Sequence, residues 1–189
     1  MEVDVLASGS SGNSVLVRSG GTAVLVDVGV SALQIKNRLE CFDCVPEDVD
    51  AIFLTHEHSD HIRGLEVFLR RHHQAPVWTT RGTWSQVPVK TRTGGEIESG
   101  RDYPVGSLRV RAVATSHDAA EPVAYVFEDG MHRIAVCTDT GIFTNLLVQR
   151  LAGCDLLLIE TNHDADMLRH GPYPWQLKQR IASRLGHLG

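Results

Sequence analysis

The sequence predicts an α/β protein in which a mixed sheet or sandwich carries helices on the outside. The length of 189 residues suits one domain with a substantial core and is too short for two ordinary domains. Hydrophobic residues make up 42% of the chain, near the value typical of globular proteins. Segments with strand and helix patterns follow one another as strands, helix, strand, helix and strands. We therefore expect residues 1–189 to form a single domain.

The first half of the chain combines strand patterns with two amphipathic helices. Strands are predicted at residues 3–7, 15–18, 23–27 and 51–54. A loop of small residues follows the first strand, and the next two strands form a hairpin that turns at Gly20 and Gly21. We expect Ser31 to cap a helix that runs to about Leu39, and apolar residues at three- and four-residue spacing predict a second helix over 62–73.

The second half of the chain is dominated by strand patterns. Strands are predicted at residues 77–79, 108–114, 123–127, 133–137 and 156–160. The segment 94–106 is rich in turn residues, so we predict turns there. Within 108–114, apolar residues alternate with Arg109 and Arg111, which favours a half-buried strand with a polar outer face.

Charge, cysteine content and the N-terminal residues narrow the class of protein. The formal net charge of −5 argues against a surface covered with nucleic-acid contacts, although two bound divalent cations would reverse the local sign at a site. Cys41 and Cys44 have no second pair to complete a zinc site, so we expect four reduced thiols. The apolar runs are too short to span a bilayer, and Met1 leads into acidic residues rather than a secretory signal, so we expect a cytoplasmic protein.

The strongest functional signal is the segment Thr55-His56-Glu57-His58-Ser59-Asp60-His61, which follows a predicted buried strand. Imidazole nitrogen and carboxylate oxygen are the ligands that zinc and similar divalent ions prefer. In an extended chain His56 and His58 point to the same side, and a turn would bring Asp60 and His61 to a second ion. Asp60 is also suited to cap the helix that follows, but capping needs one residue and this segment offers four ligands. The segment therefore predicts a site for two metal ions.

Two other predicted strands also end in potential ligands. The strand 108–114 is followed closely by His117, and the strand 133–137 by Asp139. A single His or Asp at a strand end is usually a turn residue. Because one segment cannot complete two coordination spheres, we expect His117 and Asp139 to join the histidine segment as ligands.

The chain resembles the metallo-β-lactamase superfamily over nearly its whole length. The resemblance is carried by Thr-His-x-His-x-Asp-His at 55–61, Leu-Val-Asp-Val-Gly at 25–29, Ser-His at 116–117 and Thr-Asp-Thr-Gly at 138–141. More narrowly, the opening Leu-Ala-Ser-Gly-Ser-Ser-Gly-Asn-Ser at 6–14 is similar to the YycJ/WalJ group of bacterial hydrolases. Further similarity to that group lies at 160–164, 171–175 and 186–188.

The resemblance implies an αββα sandwich of two mixed β-sheets with outer helices, with the site at one edge of the sheets. It also implies two divalent metal ions, and zinc, manganese and iron all suit the ligands present. The implied ligands are His56, His58 and His117 for one ion, Asp60 and His61 for the other, and Asp139 as a bridge between them. Asp27 would be a buried carboxylate that supports the histidine loop.

The C-terminal end departs from the pattern of the superfamily. Related phosphodiesterases carry a further ligand histidine near the C-terminus, beyond the part that resembles 186–188. This chain ends at Gly189, so we expect the last part of the fold to be missing. Either the chain is a fragment, or His187 or His163 takes the role of that ligand. His187 is also a candidate proton donor to the leaving oxygen.

The resemblance implies an exonuclease that cleaves DNA from the 5′ end through a metal-activated hydroxide, with Asp60 accepting its proton. We expect Ser11 and Asn13, in a loop whose backbone amides suit phosphate, to bind substrate together with Asn162 and His163. The C-terminal segment is basic through Arg169, Lys178, Arg180 and Arg184. The aromatic residues that could stack on bases, or pack in the core, are Trp78, Trp84 and Trp175.

Two other functions remain open at this stage. A hydrolase of small thioesters, lactones or lactams would use the same histidines, and the net negative charge supports it. A non-catalytic protein with a structural or incomplete metal site is the third possibility, because the last histidine is absent. Salt concentration distinguishes the nuclease from the small-molecule hydrolase. A nuclease loses substrate affinity steeply as salt rises, because counterions compete for phosphate contacts, whereas a thioesterase should barely respond.

Overall fold

The computed structural model describes residues 1–72, 75–89 and 93–189, which form two β-sheets. The strands of the first sheet are β1 (Glu2–Ala7), β2 (Ser14–Ser19), β3 (Thr22–Val26), β4 (Ala51–Phe53), β5 (Val77–Thr80) and β6 (Gly94–Ile97). They lie side by side in chain order. Strands β1 to β3 pair antiparallel and β3 to β6 pair parallel, so the sheet is mixed.

The second sheet has the spatial order β11-β10-β9-β8-β7. Its strands are β7 (Asp102–Val105), β8 (Leu108–Ala114), β9 (Val123–Glu128), β10 (Arg133–Cys137) and β11 (Leu156–Ile159). Strand β11 runs parallel to β10, and the remaining neighbours pair antiparallel. The second sheet is therefore mixed as well.

Helices cover the outer face of each sheet. They are α1 (Ala32–Glu40), α2 (Ser59–Ile62), α3 (Leu65–Arg71), α4 (Arg81–Gln86), α5 (Asn145–Leu151), α6 (Ala165–His170) and α7 (Trp175–Ile181), with a short 3-10 helix at Pro46–Asp48. Within the described ranges, no helix combines the length and apolar character that a bilayer-spanning segment needs.

Three buried clusters define the layers. One joins Ile35 of α1 and Phe68 of α3 to the first sheet, one fills the space between the sheets, and one packs Leu147 of α5 on the second sheet. Strand β3 contributes to two of them, because Leu25 faces the helices while its neighbour Val24 faces the other sheet. The predicted αββα sandwich is confirmed.

The helix predicted over 62–73 is interrupted, and His73 lies outside the described residues. Helix α2 ends at Ile62, and α3 begins at Leu65 after Gly64. The backbone N–H of Gly64 donates to the carbonyl of Val28 at 2.8 Å, and a Cβ on Gly64 would lie 1.9 Å from the carbonyl oxygen of Val30. This close approach of two backbones explains the break.

Two further expectations were wrong. Asp60 does not cap the helix that follows it, because His58 occupies that position and Asp60 lies inside the first turn of α2. The segment predicted as turns contains strands β6 and β7. Strand β6 begins at Gly94, whose Cβ would lie 2.0 Å from the carbonyl oxygen of Val77, so only glycine allows the two strands to pair there.

Candidate metal centre

Polar residues from both sheets meet at one edge of the sandwich. Asp27 directly follows β3, and Thr55 lies just beyond β4. In the second sheet, His117, Asp139 and Glu160 come shortly after β8, β10 and β11. Apolar strands thus bring side chains that are far apart in sequence to the same place, where the chain leaves the core.

Asp27 lies beneath the histidine loop and fixes its conformation. Its Oδ1 accepts the backbone N–H of Thr55 at 2.8 Å, and its Oδ2 accepts the Thr55 hydroxyl at 2.8 Å and His61 Nδ1 at 2.7 Å. Asp27 has a positive φ of 62°, which Asp adopts more readily than most residues. Burial raises the pKa of Asp27, and the charge of His61 and the bonds to Thr55 offset this in part.

His56, His58 and His117, which we call the histidine group, point their ring nitrogens at one another. His58 Nδ1 lies 3.0 Å from His56 Nε2 and 3.2 Å from His117 Nε2. The remaining nitrogens have other partners, because His56 Nδ1 lies 3.0 Å from the Thr55 hydroxyl and His117 Nδ1 donates to the carbonyl of Gly186 at 3.0 Å. Because the Thr55 hydroxyl donates to Asp27, it accepts from His56 Nδ1, so the Nε2 atoms of His56 and His117 keep their lone pairs.

The histidine group is suited to bind a cation. Burial lowers the pKa of His56 well below its usual value and also lowers the pKa of His117, so both rings are neutral near pH 7. Zinc–nitrogen bonds of about 2.0–2.1 Å in a tetrahedron place neighbouring ligands about 3.3–3.4 Å apart. The observed separations between ring nitrogens are only slightly shorter than this.

Asp60, His61, Asp139 and His187, which we call the aspartate group, lie beside the histidine group. Asp139 Oδ2 is 3.0 Å from His61 Nε2, and Asp139 Oδ1 is 3.1 Å from His187 Nδ1. Asp60 Oδ2 is 3.6 Å from His61 Nε2. Asp139 therefore lies between His61 and His187.

The aspartate group carries both protons and negative charge. Burial opposes the charging of His61, but Asp27 and Asp139 outweigh it and raise its pKa to about 10. Hydrogen bonds to Asp139 and Glu160 raise the pKa of His187 to about 10. Burial also opposes the ionisation of Asp139, yet His187 and His61 hold the pKa of Asp139 far below its usual range.

The donor atoms fit divalent metal ions. They form three overlapping sets whose members lie within 4.8 Å of one another, namely His56 with His58 and His117, His56 with His61 and Asp139, and His117 with Asp139 and His187. Two neutral rings turn lone pairs toward His58 Nδ1, and one N–H shared between two acceptors would make weaker contacts than a bound cation. A cation can satisfy both lone pairs, and nitrogen with carboxylate oxygen suits zinc, manganese or iron.

The other predicted site residues lie at different distances from this centre. The Asn13 amide nitrogen is 3.1 Å from His61 Nε2 and 3.4 Å from Asp60 Oδ2, so Asn13 is part of it. Ser11 is exposed, and its carbonyl accepts from Arg63. Among the contacts of the described chain, the side chains of three predicted residues make no hydrogen bond to the histidine or aspartate groups: Ser11, Asn162 and His163.

Sequence reasoning missed three residues that support the centre. Thr55 bridges Asp27 and His56 through its hydroxyl. Glu160 Oε2 lies 2.8 Å from His187 Nδ1, while its Oε1 accepts the backbone N–H of Thr140 at 2.7 Å. Glu57 Oε1 accepts the backbone N–H of Ala120 at 2.7 Å. Glu160 had a usable signal, since it is a carboxylate at the end of a predicted apolar strand.

Comparison with known proteins identifies the family. The family model described as β-lactamase superfamily domain matches residues 22–188. The chain is 36% identical to the exodeoxyribonuclease YycJ of Bacillus anthracis over 193 residues, covering 100% of this chain and 73% of that protein. It is 38% identical to the exodeoxyribonuclease WalJ of Streptococcus pneumoniae over 192 residues, covering 97% of this chain and 71% of that protein.

Solved structures share the fold at lower identity. Zinc-bound PqqB from Methylobacterium extorquens superposes with a TM-score of 0.73 at 20% identity, over 99% of this chain and 80% of that one. The metallo-β-lactamase fold protein YhfI from Bacillus subtilis gives a TM-score of 0.68 at 23% identity, over 82% of this chain and 68% of that one. The chain therefore belongs to the metallo-β-lactamase superfamily and, within it, to the group that contains YycJ and WalJ.

Proposed function

We propose that this chain is a metal-dependent phosphodiesterase that degrades DNA from the 5′ end. The observation that carries the proposal is the position of Asp139, whose two carboxylate oxygens face His61 on one side and His187 on the other, beside the histidine group. Two relatives with 36% and 38% identity bear the name exodeoxyribonuclease, which supports DNA as the substrate.

The ligand sets support two adjacent cations. The histidine group would hold one ion, Asp60 and His61 would hold the other, and Asp139 would contact both. When bound, such ions lower the pKa of a water molecule and draw charge from the oxygens of a phosphodiester. Zinc, manganese and iron all agree with this mixture of nitrogen and oxygen donors.

Residues around the ligands are suited to move protons. The Asp60 side chain is 29% exposed and lies on the open side of His61, where it can accept a proton from the attacking water. His187 shares Nδ1 with Glu160 and Asp139 and has a pKa of about 10, so its ring is protonated at neutral pH. We assign His187 as the proton donor to the leaving oxygen, with Glu160 holding its ring in place.

The surroundings also offer contacts for DNA. Asn13 reaches the aspartate group with its amide nitrogen, so it is placed to meet a phosphate oxygen. Trp78 and Trp84 pack against the core clusters, which removes them as stacking platforms. Trp175 at the start of α7 is 68% exposed, and it is the tryptophan that we expect to stack on a base.

The test combines metal content with cleavage of a 5′-labelled DNA duplex in the presence of Mn²⁺. We expect two ions per chain and progressive shortening from the 5′ end. His58→Ala should abolish cleavage, while His132→Ala, the same change at an exposed turn between β9 and β10, should not alter it. Raising the salt concentration should weaken DNA binding steeply.

Other outcomes of this experiment would contradict the proposal. Two bound ions without cleavage of any DNA, combined with salt-independent hydrolysis of a thioester, would indicate a small-molecule hydrolase. Equal activity of His58→Ala and the unchanged protein would show that a contaminating nuclease produces the cleavage. Failure to bind any metal would remove the basis of the proposal.

A further inference from the structure

Asp118 follows His117 in the loop after β8 and has no role in the ligand sets described above. Its Oδ1 is buried and, among the described residues, accepts no hydrogen bond. The same oxygen lies 3.4 Å from His117 Nε2, the nitrogen that faces His58. A buried carboxylate oxygen that lacks a partner is costly, so its position requires an explanation.

The orientation of Asp118 is fixed from the other side by Arg180. The guanidinium Nε of Arg180, on helix α7, donates to Asp118 Oδ2. This contact leaves Oδ1 turned toward the histidine group rather than toward solvent. Arg180 therefore neutralises part of the negative charge and holds the carboxylate in one orientation.

The spacing of Oδ1 matches that of a metal ligand. Two ligand atoms bound to one zinc-sized ion in a tetrahedron lie about 3.3–3.4 Å apart. A higher coordination number shortens the distance between neighbouring ligand atoms. Asp60 and His61, which are also consecutive in sequence, show a similar separation of 3.6 Å between Oδ2 and Nε2. Asp118 and His117 thus repeat, at the other ion position, the arrangement of an aspartate beside a histidine.

We propose that Asp118 is a further metal ligand and that its Oδ1 binds the ion held by His56, His58 and His117. The proposal rests on the proposed function in that both require a metal ion at the histidine group. An added carboxylate gives this position more oxygen donors than three histidines and Asp139 provide. Hard oxygen donors and a higher coordination number favour Mn²⁺ relative to tetrahedral Zn²⁺.

The experiment is a metal titration of the whole chain, without DNA, for the unchanged protein, Asp118→Asn and Arg180→Gln. Calorimetry gives the affinity for Mn²⁺ and Zn²⁺, and Co²⁺ absorption reports the ligands of the ion directly. For Asp118→Asn we expect Mn²⁺ affinity at one position to fall about tenfold or more, Zn²⁺ affinity to fall less, and the Co²⁺ bands to shift. Arg180→Gln should change Mn²⁺ affinity far less and keep the Co²⁺ bands.

Several results would overturn the proposal. One is unchanged Mn²⁺ affinity together with an unchanged Co²⁺ spectrum in Asp118→Asn. Another is an equal loss of affinity in Asp118→Asn and Arg180→Gln with the Co²⁺ bands of both variants unshifted, because Asp118 would then act only by anchoring α7. Thermal unfolding of the metal-free variants shows whether each is folded, and Asp118→Glu, which keeps the carboxylate, should retain more Mn²⁺ affinity than Asp118→Asn.

Metal binding and DNA cleavage separate the failure of this proposal from the failure of the proposed function. If the unchanged protein binds two ions and cleaves DNA while Asp118→Asn titrates identically, only the role of Asp118 is wrong. If the unchanged protein binds two ions, Asp118→Asn loses one, and no DNA is cleaved, the ligand is confirmed and the nuclease is not.

Discussion

The two halves of the metal centre differ in how they are prepared for a cation. In the histidine group, burial lowers the pKa of His56 and His117, so lone pairs are available at neutral pH. In the aspartate group, carboxylates raise the pKa of His61 and His187 to about 10, so protons occupy the place of a cation. One half is therefore ready to bind a metal, whereas in the other half His61 must first release a proton.

This difference explains how the fold can hold so many ionisable groups at one sheet edge. Buried carboxylates without a counter-charge would be strongly destabilising. The charged rings of His61 and His187 compensate Asp27, Asp139 and Glu160 through direct contacts. A bound metal ion would replace one positive charge by another and leave the hydrogen bonds of Asp27 to Thr55 in place.

The largest effect is expected from Asp139→Asn, because Asp139 lies beside donors of both halves. It is within 4.8 Å of donor atoms of His56 and His117 in the histidine group and of His61 and His187 in the aspartate group, so without its charge neither half keeps its full set of donors. Metal ions contribute several kcal/mol to the stabilisation of the transition state, and we expect a loss of DNA cleavage on the order of a thousandfold. Single-turnover cleavage of a 5′-labelled duplex measures this loss, and metal analysis should find fewer than two ions per chain. Full activity of this variant would show that the two halves do not share a bridge.

Asp27→Asn tests mainly the aspartate group, because Asp27 contacts His61 directly and reaches His56 only through the Thr55 hydroxyl. Asn tolerates the positive φ at this position and can still accept the N–H of Thr55, but it no longer carries the charge that orients His61. We expect the affinity for one of the two ions to fall about 10- to 100-fold while the other ion stays. Stepwise titration with Zn²⁺ distinguishes the two binding events.

The matched control for this variant is Asp102→Asn. Asp102 pairs with Arg111 at 2.6 and 2.8 Å on the surface of β7 and β8, away from the metal centre. Its loss should cost about 0.2–1 kcal/mol of stability and leave both metal affinities unchanged. If Asp27→Asn weakened both ions equally, Asp27 would support the whole loop rather than His61.

The sequence was sufficient to predict that the candidate ligands at the ends of strongly apolar strands lie close together. His56, His58 and His61 follow β4, His117 follows β8, and Asp139 follows β10. The continuous apolar runs of β4 and β10 and the alternating pattern of β8 indicated where each strand ends. When several potential ligands follow strand ends, the simplest arrangement places all of these strand ends at one edge of the sandwich. The layers of the fold were predictable for the same reason, since strands buried on two faces read as continuous apolar runs.

Some of the supporting residues of the site, and strand β6, could not be predicted, because they depend on tertiary contacts that leave no local sequence pattern. Glu57 and Asp118 become important only because Ala120 and Arg180 lie next to them in the folded chain. Strand β6 has no strand signature, and it forms because Gly94 lets the backbone approach β5. No periodicity in a single sequence encodes such partners.

Dependence on pH should separate the two halves further. The pKa of about 10 for His61 and His187 lies above the value near 6.5 of an unfolded histidine. The stability that these charged rings give the metal-free protein is therefore fully present below pH 6.5 and is lost as the pH rises through about 10. Because a metal ion must displace the proton on His61 Nε2, while His187 keeps its proton as the donor to the leaving oxygen, affinity at the aspartate group should rise by about tenfold per pH unit.

Calorimetric titration with Zn²⁺ between pH 6.5 and 8.5 measures this dependence. The first ion, at the histidine group, should show a flatter pH dependence of affinity, because the rings of His56 and His117 are already neutral. The second ion should bind more tightly at each higher pH and release protons that buffers of different ionisation enthalpy detect. If the affinities for both ions rose equally with pH, the two halves would not differ in protonation.

The smallest effect is expected at Glu57, which lies between His56 and His58 and connects their loop to the loop that carries His117. Its Oε1 accepts the backbone N–H of Ala120 at 2.7 Å, so it fixes the distance between two parts of the histidine group. Glu57→Ala should lower Mn²⁺ affinity and the cleavage rate by about tenfold, the lower end of the range for groups that position ligands. Glu57→Gln should retain most of both, because its amide oxygen accepts the same N–H without a charge. If Glu57→Gln were as impaired as Glu57→Ala, the negative charge itself would matter, and Glu57 would act on the metal ions through the electric field rather than through the position of the loop.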